Sequence, residues 1–511
     1  MSPLQLLGAL GVPFALTALG ACSIARPPAI ATAPMPAQWN APLPATAGIA
    51  RPATHTGSLA ALTEWWRQLD DPLLVDLIAA AQDASPTMAS AAARIAEARS
   101  NRVATASALL PSLNGTLSGT RANTPSSGGN GFAATPITTL QGTVQSQWEI
   151  DLFGRLGADR DAAETRLASA DAKWHDARVS VAADTANAYF AQRTCVQQLA
   201  VSESDARSRS ETSRLTDLSA RAGFTAPADA ALARASASDA SGRLTQQRAQ
   251  CEVQRKSLVA LTGLDERELA ARLSAMPTLQ PLPALLAVDA VPAALLAQRP
   301  DVYASELDVA AASADVGSAE AERYPRLSLT GSVGVSQYRV GGFRQSLDTW
   351  SVGPLSLTVP LLDGGARKAN ADASRARYAE AVAAYRSNVR QAVSEVEQAL
   401  VNLQSTDARA GDADAAVQNY QASFNATQAR YDSGLASLFE LEDARRTLYS
   451  AQTARVSLQR ERAEAWVALY RATGGGWTRP AQQEGIESTA STSTSSVTPA
   501  SQAVQQVTQQ P

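Results

Sequence analysis

The chain has three cysteines, and each is placed where a different kind of thiol chemistry is conceivable. Cys22 closes Leu19-Gly20-Ala21-Cys22 after a run from Met1 to Ala21 that is apolar and small and holds no acidic residue. That pattern looks like a bacterial lipobox, in which a signal peptidase cuts before a cysteine whose thiol takes a diacylglycerol and whose freed amine takes an N-acyl chain. An uncleaved membrane anchor is the competing reading. Gly8, Gly11 and Pro13 make the run marginal for a spanning helix. No Lys or Arg precedes it, a departure from the usual signal pattern that leaves the start at Met1 open. Cys195 and Cys251 stand twenty-eight residues on either side of Gly223. On an antiparallel helical hairpin folded at that glycine they sit level, and Cys251 shares a seven-residue series with Ala230, Ala237, Leu244 and Leu258. In an oxidising compartment this pairing predicts a disulfide, with two buried free thiols as the alternative.

Other side chains offer less. His55 and His175 have no second metal ligand at useful spacing, and Gly364-Gly365-Ala366-Arg367-Lys368 lacks the glycine spacing and terminal hydroxyl of a phosphate loop. No nucleophile, acid–base pair or metal cluster stands out, so the sequence predicts no enzyme and no cofactor beyond the lipid on Cys22. A net charge of -4 argues against a nucleic-acid partner.

The elements that position these residues occur twice, some 210 to 214 residues apart. Ser85-Pro86 opens an alanine-rich helical stretch ending at Pro111-Ser112-Leu113, and Arg299-Pro300 opens another ending at Pro325-Arg326-Leu327. Leu152-Phe153-Gly154-Arg155 returns as Leu362-Asp363-Gly364-Gly365, and Gly223-Phe224-Thr225 as Gly434-Leu435-Ala436. Such ordered matches predict a duplicated fold. Boundaries follow: a signal peptide over 1–21, a lipidated extended tether over 22–57, repeats over 58–285 and 286–480, and a disordered tail over 481–511, where Gln, Ser, Thr and Ala dominate.

Each repeat carries two stretches of period-two alternation. Leu113, Gly115, Leu117 and Gly119 alternate with Asn114, Thr116, Ser118 and Thr120, and Leu140, Val144, Trp148 and Ile150 alternate with polar partners. In the second repeat Leu327, Leu329, Val333 and Val335 do the same, and a partner strand runs from Trp350 to Val359 with a bulge expected at Gly353-Pro354. Strands of this length with one apolar face suit a bilayer, although a soluble sheet would alternate likewise. Four strands cannot close a barrel, and open edges are not tolerated in lipid, so the chain is expected to pool strands with copies of itself. Three copies of four strands give twelve and a lumen, whereas eight strands fill with side chains. Trp148 and Trp350 are candidates for interfacial aromatic belts.

The helices argue from length. Gly157 to Ser219 holds no proline and reaches roughly 90 to 95 Å as a helix, while Ala226 to Thr262 and Pro86 to Leu109 reach about 55 and 36 Å. The second repeat matches with Ala366 to Tyr431, Ser437 to Ala472 and Pro300 to Arg323. Leu167, Ala170, Trp174, Ala177, Val181, Ala188, Ala191 and Cys195 lie on one heptad seam, and Val382, Val389, Val393, Val396, Leu400 and Leu403 on another. The fold class expected is mainly α with transmembrane β: duplicated helical hairpins forming a periplasmic α-barrel, with four strands per chain entering a trimeric twelve-stranded β-barrel.

From Trp65 to Trp477 the chain resembles the TolC-like outer-membrane factor family, and within it the lipoprotein branch of multidrug, RND-type efflux systems. The residues that carry the resemblance are Trp65-Trp66 with Asp71-Pro72-Leu73-Leu74 and Leu77-Ile78, the Asp151-Leu152-Phe153-Gly154-Arg155 junction, and both glycine-containing turns. The resemblance implies a homotrimer in the outer membrane that extends into the periplasm. It would dock onto a periplasmic adaptor (membrane fusion) protein and an inner-membrane transporter, and pass small toxic compounds outward. It implies that the tips Gly223, Phe224, Thr225, Gly434, Leu435 and Ala436 meet the adaptor. By position, Asp229, Glu440 and Asp443 would line a narrow periplasmic gate, with Tyr431 in the closing contacts. The family's gate arginine corresponds to Ala436, which puts the usual closed-state contact in doubt. Acids in the first turn of a helix also stabilise its positive end with no further role. A duct for protein secretion and a non-conducting periplasmic coiled-coil tether stay open as alternatives.

Overall fold

Alternating and heptad-patterned segments fold as their periods require. The computed structural model describes residues 24–36, 39–41, 66, 71–125, 134–276, 296, 298–477 and 479. The signal peptide, Cys22, His55, most of the tether and the C-terminal tail lie outside the described residues. The first repeat runs α1 (Pro72–Ala84), α2 (Pro86–Ser107), β1 (Ser112–Pro125), β2 (Ala134–Ile150), α3 (Arg155–Arg221), α4 (Pro227–Thr262) and α5 (Glu266–Ser274). The second runs α6 (Pro300–Ala321), β3 (Arg326–Val340), β4 (Phe343–Thr358), α7 (Ala366–Asp432) and α8 (Leu438–Ala472). The duplication is visible in lengths: α2 and α6 have 22 residues each, and α3 and α7 have 67 each. None of the described helices is long and apolar enough to cross a membrane.

The described residues fall into two compact units. The first takes in, of the described residues, 24–34, 89–125, 134–174 and 304–390. It contains an antiparallel four-stranded sheet in the order β1-β2-β3-β4. Register fixes which residues share a face. Gly115 lies opposite Val144, Val144 opposite Val333 and Val333 opposite Trp350, so a row of the apolar face crosses the whole sheet. Thr116, Thr143, Gly334 and Thr349 form a row of the other face. The register shifts between Leu329 and Gly331, opposite Gly353-Pro354, which is the bulge the alternation foretold. Beyond it Leu355 and Leu357 face Leu329 and Leu327, so the bulge keeps the apolar face continuous where the sequence changes phase. β4 begins at Phe343, earlier than Trp350, where the sequence pattern placed it. There Arg344, Ser346 and Asp348 are polar on the face of Trp350, while Phe343 and Leu347 fall on the other face, so hydrophobicity gave no sign of the strand, and Trp350 sits inside the apolar band. Val340 pairs with Phe343 across Gly341-Gly342, both at positive φ, a tight hairpin turn that side chains would strain. Trp148 donates its ring N–H to the Leu109 carbonyl, 3.0 Å.

Strand passes to helix through the same device twice. Asp151 accepts from the Gly157 N–H at 2.7 Å, and Asp363 accepts from the Gly365 and Arg367 N–H groups at 2.9 and 3.2 Å. A carboxylate thereby satisfies amides that a helix start leaves unpaired. The N-terminal segment lies along the same unit: Arg26 pairs with Asp161 at 2.9 Å, and the carbonyls of Pro28 and Thr32 accept from Tyr378 and Arg386 at 2.9 and 3.1 Å.

The second unit takes in, of the described residues, 35–36, 39–41, 66, 71–88, 175–276, 296, 298–303, 391–477 and 479. Its main core joins Leu73, Leu74, Leu77 and Ile78 of α1 to Val179, Ala186, Tyr189 and Phe190 of α3, Leu258 of α4 and Val467 and Tyr470 of α8. Each buried leucine contributes roughly 2 kcal/mol. Asp71 caps α1 through the Leu74 N–H at 3.2 Å and accepts from Tyr189 Oη, so the cap is tied to α3. On α7 the buried positions Val389, Ala392, Val396, Ala399, Leu403 and Thr406 alternate in steps of three and four, a 3.5-residue seam. On α3 burial is wider than the expected stripe. Ala177, Val181 and Cys195 are buried, but so are Val179, Ala182, Ala183, Ala186, Tyr189 and Phe190, because this helix packs against neighbours on more than one side.

Candidate functional site

The residues singled out for a gate and for docking gather at the two helix–helix turns of the second unit. Each turn closes its long helix in the same way. The Phe224 N–H bonds the Ser219 carbonyl at 3.0 Å and the Gly223 N–H the Ala220 carbonyl at 3.1 Å. The Leu435 N–H bonds the Arg430 carbonyl at 2.7 Å and the Gly434 N–H the Tyr431 carbonyl at 2.9 Å. This pattern needs a left-handed residue just past the helix, and Gly223 and Gly434 supply it with φ of 81° and 73°. The residue after each glycine is apolar and turned to solvent: Phe224 is 87% exposed and Leu435 71%. Thr225 and Ala436 are half-buried behind them, and the Thr225 hydroxyl bonds that of Ser219.

The returning helices start differently. α4 has Ala226 at its N-cap with no side-chain bond, Pro227 in the first position and Asp229 in the first turn. α8 has a full capping box: the Ser437 hydroxyl accepts from the Glu440 N–H at 3.2 Å, and Glu440 accepts from the Ser437 N–H at 2.7 Å. Those bonds, the backbone one first, hold the Glu440 carboxyl below its usual range. Within the chain, Glu440 is thus engaged as a helix cap. Asp443 is exposed and pairs with Arg446 one turn on. Tyr431 reaches α3, its hydroxyl 3.2 Å from that of Thr216, and packs with Phe424 against Ala233, Leu438 and Leu441. Among the described residues no hydrogen bond or ion pair joins Asp229, Tyr431, Glu440 and Asp443 to one another.

A charged seam lies behind the turns, and sequence reading missed it. Arg209 of α3 pairs with Asp205 at 2.9 Å and with Glu442 of α8, which also accepts from Ser236 of α4 at 2.7 Å. Arg445 pairs with Glu442 at 2.5 Å and donates to Thr212 at 3.0 Å, its guanidinium 5.6 Å from the Phe424 ring. Arg243 of α4 reaches the second oxygen of Asp205 at 3.3 Å. Arg209, Asp205 and Arg445 are buried, and Glu442 nearly so. Burial holds the Arg445 pKa down against the raising effect of Glu442. A buried ion is costly unless paired, so these partners depend on one another and bind helices of both repeats in one register. The signal was present. Ser202, Asp205, Arg209, Thr212 and Thr216 continue the α3 seam through Cys195 in steps of seven, three and four, but their polarity disguised them. Beside the seam a cleft of about 580 Å³ is lined by Leu232, Phe439, Glu442, Asp443, Arg446 and Tyr449.

Further up the same hairpin, Cys195 and Cys251 are joined by an S–S bond between α3 and α4, their Cα atoms 5.5 Å apart. Among the described residues no His, Cys, Asp and Glu side chains gather in a group that could hold a metal. What this arrangement provides is paired charge, exposed apolar tips and long helices.

The profile of a family described as outer membrane efflux protein matches the chain twice, over residues 77–264 and 291–475, one match for each structural repeat. The chain belongs to that family. It is an outer-membrane efflux channel protein, and the family is one of efflux ducts. The solvent efflux pump outer membrane protein SrpC of Pseudomonas putida is 29% identical over 91% of this chain and 97% of its own length. Outer membrane protein OprJ of Pseudomonas aeruginosa is 29% identical over 90% and 94%. The solved outer-membrane channel OprN superposes with a TM-score of 0.76 at 28% identity, covering 89% of this chain and 98% of that one. The MtrE channel of Neisseria gonorrhoeae in its open state gives 0.67 at 26%, covering 88% and 99%. The family fold is the one read from sequence: mainly helical, duplicated, with a strand sheet.

Proposed function

We propose that this chain supplies one third of a trimeric duct, the outermost part of a three-component pump, through which small toxic compounds leave passively. The observation that carries the reading is the sheet, with one apolar face and with an edge of β1 and an edge of β4 that no described residue pairs. In lipid those edges must be satisfied, and copies of the same chain do it around a closed ring. Three copies of a four-stranded sheet make twelve strands and leave a passage.

The pump's energy comes from an inner-membrane transporter of RND type, reached through a periplasmic adaptor that meets the tips at Gly223 to Thr225 and Gly434 to Ala436. Exposure of Phe224 and Leu435 supports that role, since apolar side chains held out on rigid turns are typical anchors for a partner. Threefold assembly would set Asp229, Glu440 and Asp443 around the axis, where repeated carboxylates favour cations. Ala436 offers no arginine to close the ring, so closure rests on Tyr431 and the hairpin packing that the charged seam holds. Cys22 carries the diacylglycerol and N-acyl chains. The segment that follows it, from Ile24, is bonded to the unit that contains the sheet, which supports an anchor in the same membrane. Relatives named for efflux of solvents and toluene and for export of pyoverdine support small organic molecules as the substrate class.

The test is reconstitution. Purified full-length protein should have the mass of a trimer and give single-channel currents in planar bilayers, and D229N/E440Q/D443N should alter cation block or conductance. A monomer without current overturns the duct. Normal current with unaltered block in the triple variant removes the acids from the gate.

A further inference from the structure

The apolar face of the sheet ends at one border in a row of arginines that the duct reading does not use. Arg121 lies opposite Thr138, Thr138 opposite Arg339, and Arg339 opposite Arg344, so one transverse row holds three guanidinium groups. By two-residue alternation this row is on the face of Leu117, Val144, Val333 and Trp350. All three arginines are exposed, and none pairs with a carboxylate among the described residues.

The position of the row is specific. Working inward from it, the face runs through Gly119, Leu140, Gln337 and Ser346, then Leu117, Gly142, Val335 and Asp348, then wholly uncharged rows to Ile150, Leu327 and Leu357. From Ile150 to Leu140 is about 33 Å along a strand, or roughly 25 Å of height at a barrel tilt near 40°, the thickness of an apolar membrane band. The arginines stand one row beyond that band, at headgroup height. Asp348 is the only other charge on this face of the strands, and the opposite border has none. Arg339 and Arg344 are direct cross-strand neighbours, and like charges so placed repel unless an anion lies between them. Guanidinium forks match phosphate oxygens two by two.

We propose that the row Arg121–Arg339–Arg344 binds the phosphate groups of a phosphorylated glycolipid in the outer leaflet of the membrane. Lipid chains lie along the apolar rows while the headgroup phosphates meet the arginines, so each copy of the chain orders a lipid collar at its outer border. The proposal rests on the reading that this face meets lipid.

The probe is bis-phosphorylated lipid A, with its dephosphorylated form as control, added to detergent-solubilised full-length protein and followed by native mass spectrometry. R121Q/R339Q/R344Q should bind the phosphorylated probe at least about tenfold more weakly, given the attraction each basic residue contributes at a membrane surface. The dephosphorylated form should bind both proteins alike and weakly, R121K/R339K/R344K should fall between, and excess inorganic phosphate should leave lipid binding in place. Undiminished binding by the glutamine variant, equal binding of both lipid forms by the wild type, or full displacement by inorganic phosphate would each overturn the proposal. Bilayer current recorded on the same samples separates the two readings. A wild type that conducts nothing fails as a duct, whereas conducting proteins with undiminished lipid A binding in the glutamine variant fail this proposal alone.

Discussion

His175 and Asp176 are neighbours on α3 whose surroundings push their titrations in opposite directions. Burial, with the Arg178 charge nearby, lowers His175 from 6.5 to about 4. Burial raises Asp176 to about 6, helped by Asp301 and Glu395 and opposed by Arg471 and Arg299. As pH falls from 6.5 through about 4, the unfolded chain takes up a proton on His175 that the native chain refuses, and stability is lost. As pH rises from 3.8 through about 6, the native chain keeps a proton on Asp176 that the unfolded chain releases, and stability is again lost. The two trends therefore oppose each other over the shared window. Asp176→Asn should raise the unfolding midpoint at neutral pH, with the advantage fading as pH is lowered through about 6 toward 4. His175→Gln should gain on the wild type only below 6.5. Midpoints measured across pH check both, and curves parallel to the wild type for either variant would refute the assignment. Neither shift was legible in sequence, because the helices that bury the pair come from distant parts of the chain.

At the scale of elements, the α3–α4 hairpin combines a covalent staple with the polar seam below it. The staple encloses a sequence separation of 56 residues, and closing a loop of that length stabilises by about 4 kcal/mol in the chain-entropy picture. Cys195→Ser with Cys251→Ser should lower the unfolding midpoint, and reductant should bring the wild type down to the same value without affecting the variant. Peptide mapping without reductant should recover both cysteines in one linked species; two freely alkylated thiols in exported protein would contradict it. The cysteine spacing was readable because a hairpin folded at one glycine is a one-dimensional problem. Helix ends fell within a few residues of expectation for a similar reason, since glycine, proline and capping residues act locally. The start of β4 and the breadth of burial on α3 were not readable, because sheet pairing and multi-sided packing depend on partners far away in sequence.

At the scale of the molecule, the proposed lipid attachment and the proposed ring closure are separable. Closure is proposed to come from the edges of β1 and β4, and Cys22 is proposed to supply only an anchor. Cys22→Ser should therefore remove the diacylglycerol and N-acyl mass from the exported protein in intact-mass spectra while leaving trimer mass and single-channel current unchanged. A variant that stayed monomeric would mean that the lipid is needed for assembly. Phe224 and Leu435 belong to the same scale: their exposure on rigid turns is unexplained by the chain's own packing and fits a surface completed by another protein.

The sequence alone determined the duplication, the strand faces, the helix lengths and the turn glycines, because periodicity and local backbone preference are written residue by residue. Tertiary structure decided which polar seam positions became a buried charge network. It also showed that Glu440 caps its own helix and that Arg121, Arg339 and Arg344 share one row. Those outcomes depend on strand register and on which helices meet, and each side chain acquires its partner only when remote segments are brought together.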